Sequence, residues 1–463
     1  MRHLLRAFLV MGGVLVALAL LQNRIHSAGT IQEENLQQPG LPGGPGGGDW
    51  YVNIARPGRP VTMAIPDFEI GTSDAAEAGK TLSEVVWNDM EFASIYRLIP
   101  KRLYSIAGNP ADAKKIDFYQ WESIGADILI RAVSEVQRDR LVTEVRIYAV
   151  LAQEMVFGKR YDGPPSAARR MGHRIADDIL LQAGNYRGIN QTKLAFASDR
   201  RGEQSKEIYL MDYDGFDQKP LTANKSLNLT PTWSPDGRAL AYISYRTGQP
   251  SLYRAFIYEG RGDTIVSGGG MTFSPAWSPD GKLIAFTSTR DGNSEIYVSN
   301  ADGSDMRRLT HHAAIDTSPA WSPTGREIAF TSDRTGAPQI YAMDTEGLNL
   351  RRISFEGSYN DSASWSPSRE YSELSYASRI ERGPFDIVIY DFQTKQTRQL
   401  TTGRGSNESA DWSPNGLHLV FTSTRTGTSQ IFSMNRDGSN QRQLTREGNN
   451  TTPQWGPVPG QDS

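Results

Sequence analysis

The chain has 463 residues, with 49 Lys+Arg against 52 Asp+Glu for a formal charge of -3, 38% hydrophobic side chains and no cysteine. That length supplies two or three domains with sizeable cores, and the missing cysteine excludes a disulfide-stapled miniprotein or a Cys-ligated zinc or iron–sulfur module. Near-balanced charge without a long basic run excludes a binder driven by phosphate contacts, so no nucleic-acid partner is expected.

Met1 to Leu21 starts with Arg2, His3 and Arg6 and then runs apolar from Ala7. This is a basic n-region followed by an h-region, so residues 1–28 read as a signal peptide and the protein as exported. The apolar run has fifteen residues, short of the roughly 20 that a spanning helix needs. The A-x-A pattern Ala17-Leu18-Ala19 lies inside that run and Ala28 follows His26, so the cleavage site and an uncleaved anchor both stay open. Residues 29–48 are a linker, rich in Gly and Pro from Pro39 to Gly48, with almost nothing to bury.

Residues 49–188 read as a tail followed by a mixed α/β domain. Val61 to Phe68 is strand-like, and Thr72-Ser73-Asp74 offers caps to a helix over Ala75 to Phe92. Asp127 to Val133, Leu141 to Leu151 and Glu154 to Tyr161 alternate as strands, and Ala167 to Leu181 is a closing helix after Pro164-Pro165. No phosphate loop, H-E-x-x-H or nucleophile elbow occurs. His173 is read as a solvated residue on a helix face.

Beyond Gln191 a repeat takes over. Trp233, Trp277, Trp321, Trp365, Trp412 and Trp455 are spaced at 44, 44, 44, 47 and 43 residues, a period that with strand content means propeller blades. Motifs such as PAWSPDG (Pro275 to Gly281) make a strand and a turn, IAFTS (Ile284) a second strand, and EIYVS a third. Asp-Gly hairpins at Asp214-Gly215, Asp302-Gly303 and Asp437-Gly438 lead to an outer strand. The first unit lacks a Trp strand and Trp455 has no strands after it, so the two halves complete one blade. Residues 191–457 therefore form a six-bladed all-β propeller closed by pairing of its N- and C-terminal strands, followed by a tail at 458–463. The Trp residues are core, since six equivalent copies fit a structural need.

No catalytic, cofactor or metal site is expected. The Asp-Gly turns mimic calcium loops but lack the closing Glu, and a tight hairpin requires the same residues. His311, His312 and His418 belong to no Ser–His–Asp arrangement. On one propeller face, five residues before each Trp, stand Asn228, Thr272, Asp316, Asn360, Asn407 and Asn450, followed by Leu229, Phe273, Thr317, Asp361, Glu408 and Thr451. On adjoining loops S-x-R recurs at Arg200, Arg246, Arg290, Arg334 and Arg425. One reading makes these turn caps and braces between neighbouring blades; the other makes them a polar mouth, ringed by guanidinium groups, that docks an acidic protein loop.

The order of signal, α/β domain and six W-S-P-D-G blades closed by a terminal strand resembles the TolB family of the Tol–Pal envelope system. The resemblance covers roughly Asp49 to Pro457 and includes Gly58-Arg59-Pro60 and Asp212-Tyr213-Asp214-Gly215. It implies a non-enzymatic, monomeric periplasmic adaptor, touching membranes only indirectly. Its propeller mouth binds the peptidoglycan-associated lipoprotein Pal and its N-terminal tail engages TolA, supporting outer-membrane integrity and constriction at division. The candidate tail is Trp50, Tyr51, Val52, Asn53 and Ile54, which alternates like a strand able to join a partner's sheet or its own domain's. The rivals are a solute-binding or sensory propeller and a peptidase or carbohydrate-active relative.

Overall fold

The computed structural model describes residues 32–35, 59–107, 116–202 and 204–460, with backbone alone for 33–35. The signal segment and the tail Trp50 to Ile54 lie outside the described residues. Among those described, no helix is long and apolar enough to cross a membrane. Two compact units divide between Asn190 and Gln191.

The first unit is a seven-stranded sheet. Its strands are β1 (Gln32–Asn35), β2 (Thr62–Ala64), β3 (Glu69–Ile70), β4 (Arg97–Leu98), β5 (Ile128–Gln137), β6 (Arg140–Ala149) and β7 (Glu154–Gly163), in the order β1-β7-β6-β5-β2-β4 with β3 also on β5. Side chains alternate across β5 as a period of two requires. Ile128 and Ile130 meet Leu82, Val86 and Met90 of helix α1 (Ala76–Ala93), and α3 (Ala168–Gly184) adds Met171, Ile175 and Ile179. Leu129 instead joins Ala64, Tyr104 and Trp121 of the short helix α2 (Phe118–Ser123) on the opposite face. The four-residue spacing on α1 and α3 is the helical stripe that such a core selects. Close approach of α1 and α3 requires Gly172, where a Cβ would lie 2.8 Å from Val85.

Three local expectations change. His173 is buried, not solvated: its Nδ1 lies 2.7 Å from Oδ2 of buried Asp89, tying α3 to α1. Thr72 does not cap the helix with its side chain; its Oγ1 accepts from the Val136 N–H, which β5 needs satisfied. Gln32–Asn35, within the stretch read as linker, pairs antiparallel with β7, Gln32 opposite Asp162. An open sheet edge is satisfied by backbone alone, so composition gives no warning of this strand.

The second unit holds six four-stranded antiparallel sheets. We number blades 1 to 6 by their innermost strands, Asn228–Trp233, Thr272–Trp277, Asp316–Trp321, Tyr359–Trp365, Asn407–Trp412 and Asn450–Trp455. Blade 6 is composite: Asn450–Trp455 pairs with Lys193–Ser198, Asn450 opposite Ser198 and Trp455 opposite Leu194, so the chain's two ends close the ring. The closure covers the inward edge of Lys193–Ser198, which an incomplete blade would leave open. Apolar cores lie between blades. Ile296 and Val298 of blade 2, for instance, pack on Trp321, Ile328 and Phe330 of blade 3. The Asp-Gly turns are hairpins: Gly303 has φ 86° and donates to Asn300 O, and a Cβ there would strike Ile265 O at 2.0 Å.

Candidate partner-binding face of the propeller

Each inner strand begins at one face and runs down a central channel, and each carries the same irregularity. Two residues bulge out of register after the second position, as between Leu229 and Thr232 or Phe273 and Ala276. The first bulged residue is Thr230, Ser274, Ser318, Ser362, Ser409 or Thr452, every one at φ between 45° and 57°. Left-handed backbone at a residue with a Cβ costs about 1 to 2 kcal/mol, so the surrounding ring must hold it. These six residues collar a channel of about 330 Å³. Sequence reading missed this collar, whose signal is the recurring Ser/Thr two residues after the mouth position, followed by Pro or Ala.

Indoles fasten neighbouring blades along the channel. Trp233 Nε1 donates to Gln454 O, Trp321 to Ala276 O, Trp365 to Ala320 O and Trp412 to Ser364 O, at 3.1 to 3.3 Å, each reaching the preceding inner strand. Trp455 donates instead to Thr192 Oγ1 at 2.8 Å.

At the mouth, the six residues that open the Asn/Thr/Asp series are at most 1% exposed, which removes them as partner contacts. The four Asn side-chain amides donate internally, to the preceding blade. Asn228 Nδ2 donates to Glu207 Oε2, Asn360 to Gln339, Asn407 to Asp386 and Asn450 to Gln430, at 2.8 to 3.0 Å. Those acceptors also receive a hydroxyl from Thr222, Ser354, Thr401 and Thr445. A buried amide donor must find an acceptor, and here a shared network supplies one to each of the four Nδ2 groups.

The Arg series is a set of clamps within blades, not between them. Nε of Arg200, Arg246, Arg290, Arg334 and Arg425 donates to the serine two residues earlier, at 2.8 to 3.3 Å. The guanidinium planes cover rings of their own blade: Arg246 lies 4.0 Å from the Tyr253 centroid, Arg200 4.6 Å from Tyr209 and Arg425 4.7 Å from Phe432. Arg334 also donates twice to buried Asp316, at 2.9 and 3.0 Å. Burial pushes the Arg200 and Arg425 guanidinium pKa values down. The sixth clamp, missed because blade 4 spells it Ser378-Arg379 without the spacer, is Arg379, 4.2 Å from Phe385. Groups so committed do not form a free cationic ring.

The second positions remain at the mouth surface. Leu229, Phe273, Thr317, Asp361 and Thr451 are half-buried and Glu408 is exposed. They seat at blade junctions: Thr317 Oγ1 accepts from Thr287 of blade 2, and Asp361 Oδ1 accepts from Thr331 of blade 3 at 2.7 Å. Around them Leu227, Met271, Ile315, Phe355 and Ile380 are 38 to 71% exposed. Deeper, the Asp411 carboxylate accepts from Ser364 Oγ and Trp455 N–H at 2.8 Å, and burial raises its pKa to about 6.

Residues 182–459 match the family model described as the TolB beta propeller domain, and residues 51–156 that of the TolB amino-terminal domain. The chain is 36% identical over 217 residues to the Tol-Pal system protein TolB of Desulfosudis oleivorans, covering 46% of this chain and 49% of that one. It is 40% identical over 173 residues to the protein of that name from Geobacter metallireducens, covering 37% and 39%. The matched stretch spans about half or less of these curated relatives. Its fold is similar to the crystal structure of TolB from Acinetobacter baumannii, with TM-score 0.75 and 23% identity over 92% of this chain and all of that one.

Proposed function

Because the chain belongs to the TolB family, we propose that it is the periplasmic adaptor of a Tol–Pal system, holding the lipoprotein Pal at the propeller mouth and engaging TolA through Trp50 to Ile54. Supporting outer-membrane integrity and constriction at division is then the consequence of linking the two envelope layers. The observation that carries the Pal half is the contrast within one face: the recurrent Asn, Trp and Arg positions are consumed by the ring, while Leu229, Phe273, Thr317, Asp361, Glu408 and Thr451 keep surface beside exposed Leu227, Met271 and Ile315. A rigid platform with uncommitted side chains at its centre suits gripping a preformed protein surface, where a few central anchors hold most of the affinity. The TolA half rests on the alternating apolar pattern of the tail.

Titrating the periplasmic domain of Pal against the full chain tests the mouth. Thr317→Lys is expected to weaken Pal binding at least about tenfold with an unchanged melting temperature. Equal affinity would reject the mouth as the site. Deleting Trp50 to Ile54 should abolish capture of TolA and leave Pal binding intact.

A further inference from the structure

Read in blade order, the six second-position side chains are Leu229, Phe273, Thr317, Asp361, Glu408 and Thr451. In a six-fold ring blade 1 faces blade 4 and blade 2 faces blade 5. The two apolar side chains therefore stand across the mouth from the two carboxylates, with a threonine on each side between them. The residue immediately outside this ring is apolar or aromatic in blades 1 to 4, Leu227, Met271, Ile315 and Tyr359, and polar in blades 5 and 6, Ser406 and Asn449.

The charges near the mouth decide what such a ring accepts. Arg200, Arg246, Arg290, Arg334, Arg379 and Arg425 are stacked on rings of their own blades. Lys206 Nζ lies 3.4 Å from Thr451 Oγ1, on the blade-6 side. The Asp333 Oδ1 accepts from the Ile315 N–H. Asp361 keeps Oδ1 occupied by the Thr331 hydroxyl and the Ser362 N–H, and Glu408 Oε1 accepts from Ser406 Oγ. Neither Asp361 nor Glu408 has a cation among the ion pairs of the described residues. Burial first, then the Asp361 and Glu408 charges, raise the Tyr359 hydroxyl pKa, offset by Arg379.

We infer that the mouth is polarised and selects a partner segment carrying a Lys or Arg beside a bulky apolar side chain, the cation lying against Asp361 and Glu408 and the apolar group against Leu229 and Phe273. This rests on the proposed docking of a protein at the mouth and reverses the acidic loop that the Arg spacing alone suggests. The occupant is a basic, apolar protein loop; a metabolite or an acidic peptide is an outcome against it. Charge complementarity fixes orientation, since a segment turned by half a revolution would bury its cation against Leu229 and Phe273.

The test pans a random heptapeptide library displayed on phage against the immobilised full chain, in parallel with Asp361→Asn/Glu408→Gln and Phe273→Lys, each checked for an unchanged melting curve. The wild type should enrich sequences pairing Lys or Arg with an aromatic or aliphatic residue. Neutralising both carboxylates should weaken the enriched peptides about tenfold and flatten their salt dependence, and Phe273→Lys should abolish binding. Acidic consensus sequences, or affinities indifferent to Asp361→Asn/Glu408→Gln, would overturn the polarity. The periplasmic domain of Pal, used as competitor, separates the two ideas. Peptides of the expected chemistry that Pal fails to displace would uphold the polarity and reject the Pal reading. Pal binding lost in Phe273→Lys but unaltered in Asp361→Asn/Glu408→Gln would do the reverse.

Discussion

Substituting His418 by Asn should remove an acid sensitivity from ring closure. His418 sits on the second strand of blade 5, 2% exposed, its ring centroid 6.4 Å from that of Trp455 on the closing strand. Burial lowers its pKa from 6.5 to about 4, with a hydrogen bond to Asn435 opposing and the Arg442 charge assisting. A depressed value means stability fully present above pH 6.5 and lost as pH falls through 4. Each pH unit across that gap is worth about 1.4 kcal/mol, so the whole loss is roughly 3 kcal/mol and most of it is gone by pH 4.5. Urea titrations at pH 7 and pH 4.5, followed by tryptophan fluorescence, compare the parent with His418→Asn. The variant carries a constant cost for altered packing at both pH values, but its drop between them should be smaller than the parent's by roughly 2 to 3 kcal/mol. Because carboxylates elsewhere titrate identically in both proteins, they cancel. Equal drops, within about 0.5 kcal/mol, would refute the claim that a neutral buried imidazole supports this junction.

Asp411 should behave oppositely. Its pKa is raised from 3.8 to about 6, so it contributes stability below pH 3.8 that disappears as pH rises through 6. Asp411→Asn should be the more stable protein at pH 7, with an advantage falling by roughly 2 kcal/mol by pH 4.5 in the same titrations. Arg334→Ala leaves Asp316, whose side chain is 0% exposed, without its two charge-assisted bonds. A loss of about 3 to 5 kcal/mol is expected, and Arg334→Lys should recover only part of it because one ammonium cannot reproduce the fork. Trp412→Phe deletes the bond to Ser364 O along with part of the indole surface, and calorimetry should show at least about 1 kcal/mol of destabilisation.

Periodicity made the ring legible. The Trp spacing, the orphan strand before Trp233 and the orphan Trp455 together require a composite blade, and Asn450–Trp455 against Lys193–Ser198 is that blade. The helices over Ala76–Ala93 and Ala168–Gly184 were legible from the spacing of their buried residues. Burial of the Asn series was not. Each Asn finds its acceptor 20 or 21 residues earlier, on the preceding blade's third strand, and an Asn bonded that way reads like a turn cap. His173 was misread for a related reason, because Asp89 lies 84 residues away on another helix.

The same contrast separates mechanics from recognition. A position that performs one mechanical task in every blade is constrained to one chemistry, and the Trp, Arg and bulge positions obey this: indole, guanidinium, hydroxyl. Where blade 4 departs from S-x-R, Arg379 still reaches Tyr359 and Phe385, so geometry preserves the part although the spelling changes. The position after the buried Asn obeys no such rule, running Leu, Phe, Thr, Asp, Glu, Thr. Ring assembly would tolerate six identical side chains there, as it does with Trp four positions later. Variation at a site that symmetry makes equivalent is therefore where an asymmetric partner can be recognised. It acquires meaning only once the blade order places Leu229 and Phe273 opposite Asp361 and Glu408.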